Sequence, residues 1–294
     1  MARTMFTGVY VPLATPFGPD GALDAAALQR LIDWTVEGGA SGLVPCGTTG
    51  ESPTLSHEEH QRVIALTVEY AAGRVPVIAG TGSNCTSEAI ALTRAADAAG
   101  VDGMLVIAPY YNRPNQQGLL AHFTAVAGAT RKPIVMYNIP KRTGVNMEPA
   151  TIIALSQVEN ITGIKEASGD PAQIMEIIRG TREFSVLTGD DNLLFFICTH
   201  GGHGGICTSS HFLPGEWVRM VELCRDGKLA EARDLHYRLL PLAKAMFCEP
   251  NPAPLKAALK LVGHDCGAPR LPMTLAGEPC VAMLRKVLGE LGLI

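Results

Sequence analysis

The 294-residue chain lacks the features that mark several large classes of protein. It has no stretch of ~20 apolar residues, so a transmembrane helix is not expected. It has no basic run or heptad array, and its formal net charge of −4 and pI near 6.1 argue against nucleic acid or an anionic membrane as a partner. Near the N-terminus, Thr7, Gly8 and Pro12 interrupt the apolar segment, which is too short for a signal peptide. We therefore expect a cytoplasmic protein.

The cysteines are scattered and include no C-x-x-C pair. In a cytosolic protein such cysteines are expected to be small buried residues, not disulfide partners or zinc ligands. The eight positions are Cys46, Cys85, Cys198, Cys207, Cys224, Cys248, Cys266 and Cys280.

The composition is that of a globular protein with an ample core, since 47% of the residues are hydrophobic and 18% are charged. Eight short apolar runs alternate with amphipathic segments. Because the runs are continuously apolar, they are typical of parallel strands covered on both faces. This pattern predicts an α/β fold, a (β/α)8 TIM barrel, whereas a doubly wound sheet usually carries a Gly-rich phosphate turn. The predicted strands are Val9–Leu13, Gly42–Cys46, Pro76–Gly80, Gly103–Ala108, Pro133–Asn138, Thr162–Lys165, Phe184–Leu187 and Gly204–Cys207.

Amphipathic segments between the strands predict helices, and Ser56 with Glu59 forms a capping-box signature at the start of one of them. After the last strand the pattern is helical to residue 294. We assign residues 1–213 to the barrel and residues 214–294 to a C-terminal helical extension packed on it. The predicted helices include Asp24–Glu37, Glu58–Ala72, Glu88–Ala99 and Gln117–Thr130, followed in the extension by Glu216–Arg225, Leu229–Cys248, Ala253–Val262 and Ala276–Leu291.

Lys165 ends a short apolar strand, just before a turn at Ser168-Gly169-Asp170. Lysine is rarely buried without a partner. Its amine could reach solvent or pair with Glu166, or it could be a nucleophile that forms a Schiff base with a carbonyl substrate. A nucleophilic amine must be neutral, which for a lysine of pKa about 10.4 costs roughly 4.6 kcal/mol at pH 7. Burial at the mouth of an apolar barrel can supply part of that cost.

Polar residues follow three of the predicted strands, at the carboxyl ends where barrels of this kind carry their chemistry. The segments are GTTGES (47–52), PYYNRP (109–114) and YNIPKRTG (137–144). Any one of them could be a turn, a helix cap or a packed tyrosine. Three tyrosines, two threonines, an arginine and a lysine at one edge are difficult to explain by packing. A tyrosine with a hydroxyl relay can shuttle the protons that imine formation requires.

These segments resemble a known family. Together with GIKEASGD (163–170), TGDD (188–191), GGHGG (201–205) and EPNPAPLK (249–256), they are similar in order and spacing to the pyruvate-dependent class I aldolase and N-acetylneuraminate lyase family. The resemblance covers nearly the whole chain. It implies an enzyme without cofactor or metal that forms an imine with pyruvate, as a homodimer or homotetramer.

The resemblance is strongest to the synthase branch, which condenses pyruvate with L-aspartate 4-semialdehyde in lysine and diaminopimelate biosynthesis. It implies that Lys165 forms the imine and that Tyr137 is the general acid and base. Thr48 would link Tyr137 to Tyr111 of a neighbouring subunit in a proton relay.

The resemblance also implies a binding role for four residues. Thr49 would hold the pyruvate carboxylate, while Gly189 and the main chain of Ile206 would complete the pocket around the lysine. Arg142 would bind the carboxylate of the second substrate in a bidentate geometry that lysine cannot copy. It also separates the synthase pattern from the alternative, an aldolase or lyase for a 2-keto-3-deoxy sugar acid or N-acetylneuraminate. A non-catalytic amino-acid-binding barrel is a third interpretation.

One segment, Gly205-Ile206-Cys207-Thr208, departs from the synthase pattern by a second glycine and a cysteine. We expect this departure to affect the fine shape of the pocket and, through it, the preference for the second substrate.

A second set of residues matches positions that bind L-lysine, the end product, at the dimer interface of bacterial synthases. Glu88 can pair with an amine, whereas Asn84 and Tyr110 can donate to a carboxylate. The alternative is that His57 and His60 are ordinary surface residues on one helix face, and a metal pair lacks a third ligand. The predicted set is Ser52, His57, His60, Asn84, Glu88 and Tyr110.

Overall fold

Eight parallel strands close into a barrel in the computed structural model, which describes residues 5–294. Neighbouring strands follow the order β2-β1-β8-β7-β6-β5-β4-β3. A parallel bridge between Leu43 and Val77 then joins β2 to the start of β3. The strands are β1 (Gly8–Val11), β2 (Gly42–Leu43), β3 (Ile78–Gly80), β4 (Gly103–Ile107), β5 (Ile134–Asn138), β6 (Ile161–Glu166), β7 (Ser185–Thr188) and β8 (Gly204–Ile206). The predicted (β/α)8 barrel is confirmed.

Helices surround the barrel and continue beyond its last strand. They are α1 (Ala25–Glu37), α2 (His57–Ala71), α3 (Thr86–Ala98), α4 (Gln116–Ala127), α5 (Pro140–Thr143), α6 (Pro149–Leu155), α7 (Pro171–Gly180), α8 (Leu194–Thr199), α9 (Pro214–Arg225), α10 (Leu229–Ala245), α11 (Ala253–Leu261) and α12 (Glu278–Glu290). The predicted helices agree with these to within a few residues. The short helices α5, α6 and α8 were not predicted, because four to seven residues carry too little periodicity.

Local side-chain chemistry fixes where several helices begin. The predicted capping box of α2 is present, with the Ser56 hydroxyl accepting from the Glu59 N–H at 3.1 Å and the Glu59 carboxylate accepting from the Ser56 N–H at 2.9 Å. Asp170 caps α7 by accepting from the Ala172 N–H at 2.9 Å, and Pro171 occupies the first turn, where its missing N–H costs nothing.

The strand β2 is shorter than predicted. Pro45 has no N–H to donate to a ladder, and Cys46 has a φ of 55°, in the left-handed region that strands exclude. The apolar run therefore leaves the sheet after Leu43, and the chain turns towards the carboxyl end of the barrel.

Five strands, β1, β3, β4, β5 and β7, contribute to two cores, which explains their continuously apolar runs. Along β5, Val135 and Tyr137 face the barrel interior, while Ile134 and Met136 face the helices. The interior cluster also contains Phe6, Tyr10, Val44, Ile78, Leu105, Ala167, Leu187 and Ile206.

The last four helices form one packed group. Helix α9 contacts β1 and α8, α10 contacts α9 and α12, and α11 contacts α12. The division between residues 213 and 214 stays a prediction. Between residues 5 and 294, the helices are all too short or too polar to span a bilayer.

The cysteines only partly follow the prediction. All eight are free thiols, and five are buried. Cys85 and Cys248 are exposed and Cys198 is half-buried. The prediction of burial was wrong for Cys85 and Cys248, because a cysteine on a helix cap or in a connection carries no periodic signal that shows which way it faces.

Candidate active site

Lys165 lies inside the barrel beside Tyr137. The two residues are register partners on β6 and β5, and the Lys165 Nζ lies 4.3 Å from the centroid of the Tyr137 ring. Lys165 is only 7% exposed and Tyr137 4%. Among residues 5–294, the structure gives Lys165 no ion pair.

Glu166 is not the partner of Lys165. Successive side chains of a strand point to opposite faces, and the Glu166 carboxylate accepts from Asn138 Nδ2 at 3.0 Å and from the Ser168 N–H at 2.8 Å. Burial raises the pKa of Glu166, and these hydrogen bonds oppose the rise. The interpretation that Lys165 pairs with Glu166 was therefore wrong, whereas contact of its amine with solvent stays an interpretation.

Gly189 and Ile206 both lie against this interior. A Cβ at Gly189 would lie 2.8 Å from the Lys165 Cε and 2.9 Å from the Ala167 Cβ, so a side chain there would displace the lysine. Ile206 is 1% exposed and belongs to the interior cluster. Both predicted pocket residues thus border the barrel interior.

Two aspartates follow β7, Asp190 half-buried and Asp191 buried, and sequence reasoning gave them no role. Burial raises the pKa of Asp190 and of Asp191, and the charge of Lys165 opposes both shifts. Asp191 accepts from the N–H groups of Thr208 at 3.1 Å and Ser209 at 2.6 Å. The signal that could have found them is a pair of acids directly after an apolar strand.

The Gly47–Ser52 loop carries Thr48 and Thr49 at the end of the second predicted strand. The Thr49 Oγ1 accepts from Asn251 Nδ2 at 2.9 Å and lies 3.4 Å from the Thr208 Oγ1. Thr49 is buried, whereas Thr48 is half-buried and lines a cavity. Asn251 is a further residue to which the sequence interpretation gave no role.

A cavity of about 430 Å³ opens at this end of the barrel. Thr48, Tyr137 and Arg142 line it, as do five of the six predicted L-lysine-site residues, Ser52, His57, His60, Glu88 and Tyr110. Asn84 is not part of the lining. The cavity is therefore lined by five of the six predicted L-lysine-site residues but by only three of the eight predicted catalytic and substrate-binding residues. Those outside its lining are Lys165, Tyr111, Thr49, Gly189 and Ile206.

Tyr111 is separated from the other predicted relay residues. It is 89% exposed, and its backbone has a φ of 71°, held in part by its N–H donating to the Thr143 carbonyl at 3.2 Å. Among residues 5–294, no hydrogen bond joins Tyr111 to Thr48 or Tyr137. The predicted relay is incomplete within one chain.

Two of the predicted L-lysine-site residues, His57 and Glu88, form a polar cluster with Ser83. Glu88 accepts from the Ser83 hydroxyl and lies 2.9 Å from the His57 Nε2, and these hydrogen bonds, the one from Ser83 foremost, lower its pKa. His60 is buried, and burial lowers its pKa. The alternative that both histidines are ordinary surface residues was wrong for His60. Among residues 5–294, no three His, Cys, Asp or Glu side chains come together as a metal site requires.

The departure at Gly205 and Cys207 lies on the other side of β8. Ile206 faces the barrel interior, so its two neighbours face the helices, where Cys207 is completely buried. A Cβ at Gly205 would lie 2.6 Å from the Cys207 Sγ and 2.9 Å from the Thr188 Cγ2. The thiol thus fills the space that a side chain at residue 205 would need. Neither residue lines the pocket directly, and an effect on its fine shape stays a prediction.

Comparison with known proteins decides the family. The model of the dihydrodipicolinate synthetase family matches residues 5–290. The chain belongs to this family. The 4-hydroxy-tetrahydrodipicolinate synthase of Syntrophus aciditrophicus is 48% identical, over 99% of this chain and 100% of its own length.

Two solved structures of synthases with bound small molecules have the same fold. A chloride-inhibited synthase from Acinetobacter baumannii, complexed with pyruvate, has a TM-score of 0.96 and 37% identity, covering 98% of this chain and 99% of that one. A synthase from Cyanidioschyzon merolae with lysine bound has a TM-score of 0.97 and 40% identity, covering 99% of this chain and 100% of that one. The predictions of the synthase branch and of a lyase-type enzyme are confirmed; the roles of the individual residues stay predictions.

Proposed function

We propose that the chain condenses pyruvate with L-aspartate 4-semialdehyde through a Schiff base on Lys165, in lysine and diaminopimelate biosynthesis in the cytoplasm. The observation that carries the proposal is a lysine residue, 7% exposed and without an ion pair in the described chain, whose amine lies 4.3 Å from the ring of a buried tyrosine. A neutral amine is the form that attacks a carbonyl.

The reaction follows from this geometry. The Lys165 amine adds to the keto carbon of pyruvate, and Tyr137 moves the proton that lets the carbinolamine lose water to give the imine. Loss of a proton from the pyruvate methyl group gives an enamine, whose carbon attacks the aldehyde of the second substrate. The amino group of that substrate then adds to the imine carbon, closes the ring and expels the Lys165 amine.

Two further residues would bind the substrates. Thr49 and nearby backbone N–H groups are suited to the pyruvate carboxylate. Arg142 is exposed and lines the cavity, so its guanidinium can bind the carboxylate of an incoming second substrate.

Borohydride trapping tests the mechanism. Protein incubated with pyruvate and sodium borohydride should gain mass on the peptide that contains Lys165, and the Lys165→Ala variant should gain none. Addition of L-aspartate 4-semialdehyde should give ring-closed product. Trapping without that product, but with cleavage of a 2-keto-3-deoxy sugar acid or N-acetylneuraminate, would replace the synthase by the aldolase alternative. No trapping on Lys165 would contradict the Schiff base itself.

We also propose that the polar cluster around Glu88 binds L-lysine as an inhibitor. The support is that five of the six predicted residues line the same cavity as Thr48 and Tyr137, and that a relative has been solved with lysine bound. Glu88, kept ionised by its depressed pKa, suits an ammonium group. Glu88→Gln should raise the L-lysine concentration for half-inhibition at least about ten-fold. As a control, Glu69→Gln, at an exposed position in α2, should leave that concentration unchanged. Equal inhibition of both variants would rule out Glu88.

A further inference from the structure

Asn251, in the connection between α10 and α11, reaches a threonine of the Gly47–Ser52 loop. Asn251 is 5% exposed, and its Nδ2 donates to the Thr49 Oγ1 at 2.9 Å. The two residues are 202 positions apart in the chain. This contact therefore ties a segment outside the strands to a loop at their carboxyl end.

The direction of this hydrogen bond decides what the Thr49 hydroxyl can do. A hydroxyl has one proton to donate and two lone pairs that accept. Because Asn251 Nδ2 is a donor, it uses a lone pair of Thr49 and leaves the proton free. The only other partner in the described chain is the Thr208 Oγ1 at 3.4 Å, which is longer than the usual 2.7–2.8 Å of an O–H···O bond. The proton is thus available for a stronger acceptor.

A second contact fixes the same loop to the same region. The Glu51 Oε1 lies 2.6 Å from the Lys256 Nζ of α11, and the Glu51 Oε2 accepts from the Arg270 N–H at 2.8 Å. Glu51 is held at a φ of 55°, which is unfavourable for a residue other than glycine. These contacts maintain the loop conformation that presents Thr49 to Asn251.

We propose that Asn251 is a positioning residue, which holds the Thr49 hydroxyl as a hydrogen-bond donor to the carboxylate of the keto acid. The inference rests on the proposed function, in which Thr49 binds the pyruvate carboxylate. Asn251 then controls the affinity for pyruvate and leaves the chemistry at Lys165 unchanged.

Two substitutions at Asn251 test the direction of the hydrogen bond. Asn251→Ala removes the donor and should raise the KM for pyruvate roughly ten-fold. Asn251→Asp has nearly the same shape, but its carboxylate can only accept hydrogen bonds. The Thr49 hydroxyl would then donate to the aspartate instead of to the substrate, and the aspartate would add a negative charge nearby. It should raise the KM for pyruvate by at least about a hundred-fold. The kcat at saturating pyruvate and the KM for L-aspartate 4-semialdehyde should stay within about two-fold for both variants.

A double-substitution cycle separates positioning from damage to the fold. In a Thr49→Val background there is no hydroxyl to position, so Asn251→Asp should raise the KM for pyruvate no further. A purely structural effect of the aspartate would persist in that background. Should the aspartate variant fail to fold, Asn251→Ala with and without Thr49→Val measures the same coupling.

Borohydride trapping at saturating pyruvate keeps this inference distinct from the proposed function. If the parent protein is not trapped on Lys165, the proposed function fails and the role of Asn251 fails with it. If the parent is trapped, two results would each overturn the positioning role alone. One is a KM for pyruvate in both Asn251 variants that equals that of the parent. The other is a rise in this KM that is the same with and without Thr49→Val.

Discussion

Lys165 and Tyr137 are register partners on adjacent parallel strands, and the lysine amine lies 4.3 Å from the centre of the tyrosine ring. In a parallel ladder, side chains of register partners point to the same face. The barrel therefore brings an amine and a phenol together without help from a mobile loop. Rigid strands hold such a pair more accurately than a loop does.

Tyr137→Phe isolates the contribution of the phenol hydroxyl. The ring stays in the interior cluster, so the fold should be unchanged, while kcat should fall by roughly 10²–10³ because proton transfer during imine formation loses its catalyst. Tyr10→Phe is the matched control. Tyr10 lies in the same cluster, edge-on to Phe6 at 5.8 Å, and burial raises its pKa to about 12. Steady-state assays of both variants, with circular dichroism, make the comparison. An equal loss of activity in the two would contradict the role of Tyr137.

The exposure of Tyr111 leads us to predict an active site shared between two subunits. It is 89% exposed and its relay partners in the same chain are not bonded to it, so we expect Tyr111 to complete the relay of a second copy. Tyr111→Phe and Tyr137→Phe should each be nearly inactive. In a heterodimer of the two, one site carries both lesions and the other carries neither.

Mixing the two inactive variants measures this directly. After denaturation and refolding at equal concentrations, random pairing should restore about a quarter of the sites to full activity. Refolding each variant alone is the control. If the mixture gains no activity although size-exclusion chromatography shows dimers, Tyr111 does not act in the partner site.

The sequence reveals features that depend on local pattern. A lysine at the end of an apolar run, Ser56 with Glu59 before a helix, and eight apolar runs in succession could all be recognised without the structure. The orientation of Cys207 could also have been recognised, because a strand alternates and Ile206 was expected in the pocket. What could not be predicted are contacts between distant segments, such as Asn251 with Thr49, since no periodicity connects residues 202 positions apart.

The buried, neutral state of His211 leads us to predict that the folded protein loses stability on mild acidification. It is completely buried, its Nδ1 lies 2.8 Å from the Thr208 carbonyl oxygen, and its Nε2 accepts from the Ala14 N–H at 3.3 Å. An imidazole that accepts through one nitrogen is neutral, and burial lowers the pKa of His211 to about 4. Below about pH 6.5 the unfolded chain binds a proton that the folded chain does not, so stability falls as pH falls towards 4.

The size of this effect can be measured by urea unfolding at pH 7.5 and 5.0. His211 should contribute about 2 kcal/mol to the decrease in the free energy of unfolding between these values. In a His211→Gln variant, the free energy of unfolding should decrease between pH 7.5 and 5.0 by about 2 kcal/mol less than it does in the parent, whatever the stability of the variant at pH 7.5. His200→Gln, on the surface, should behave as the parent does. An unchanged pH dependence in His211→Gln would contradict the prediction.

Lys256 and Glu51 form an ion pair in which each side chain is 2% exposed and the charged atoms are 2.6 Å apart. Burial lowers the pKa of Lys256, and the charge and hydrogen bond of Glu51 oppose that shift. Lys256→Met leaves Glu51 buried without its partner, so the free energy of unfolding should fall by about 3–5 kcal/mol. Lys260→Met, one turn further along α11, removes a 71% exposed lysine that pairs with Asp265, and should cost less than about 1 kcal/mol.

The double variant Glu51→Gln with Lys256→Met distinguishes the loss of a charge partner from the loss of packing. Because it removes both charges and keeps both side-chain volumes, it should be clearly more stable than Lys256→Met alone. Urea unfolding of all three proteins at one pH and one protein concentration gives the comparison. If the double variant is no more stable than Lys256→Met, Lys256 contributes to the free energy of unfolding through packing of its methylene chain. The prediction that Glu51 needs a charged partner while buried would then be wrong.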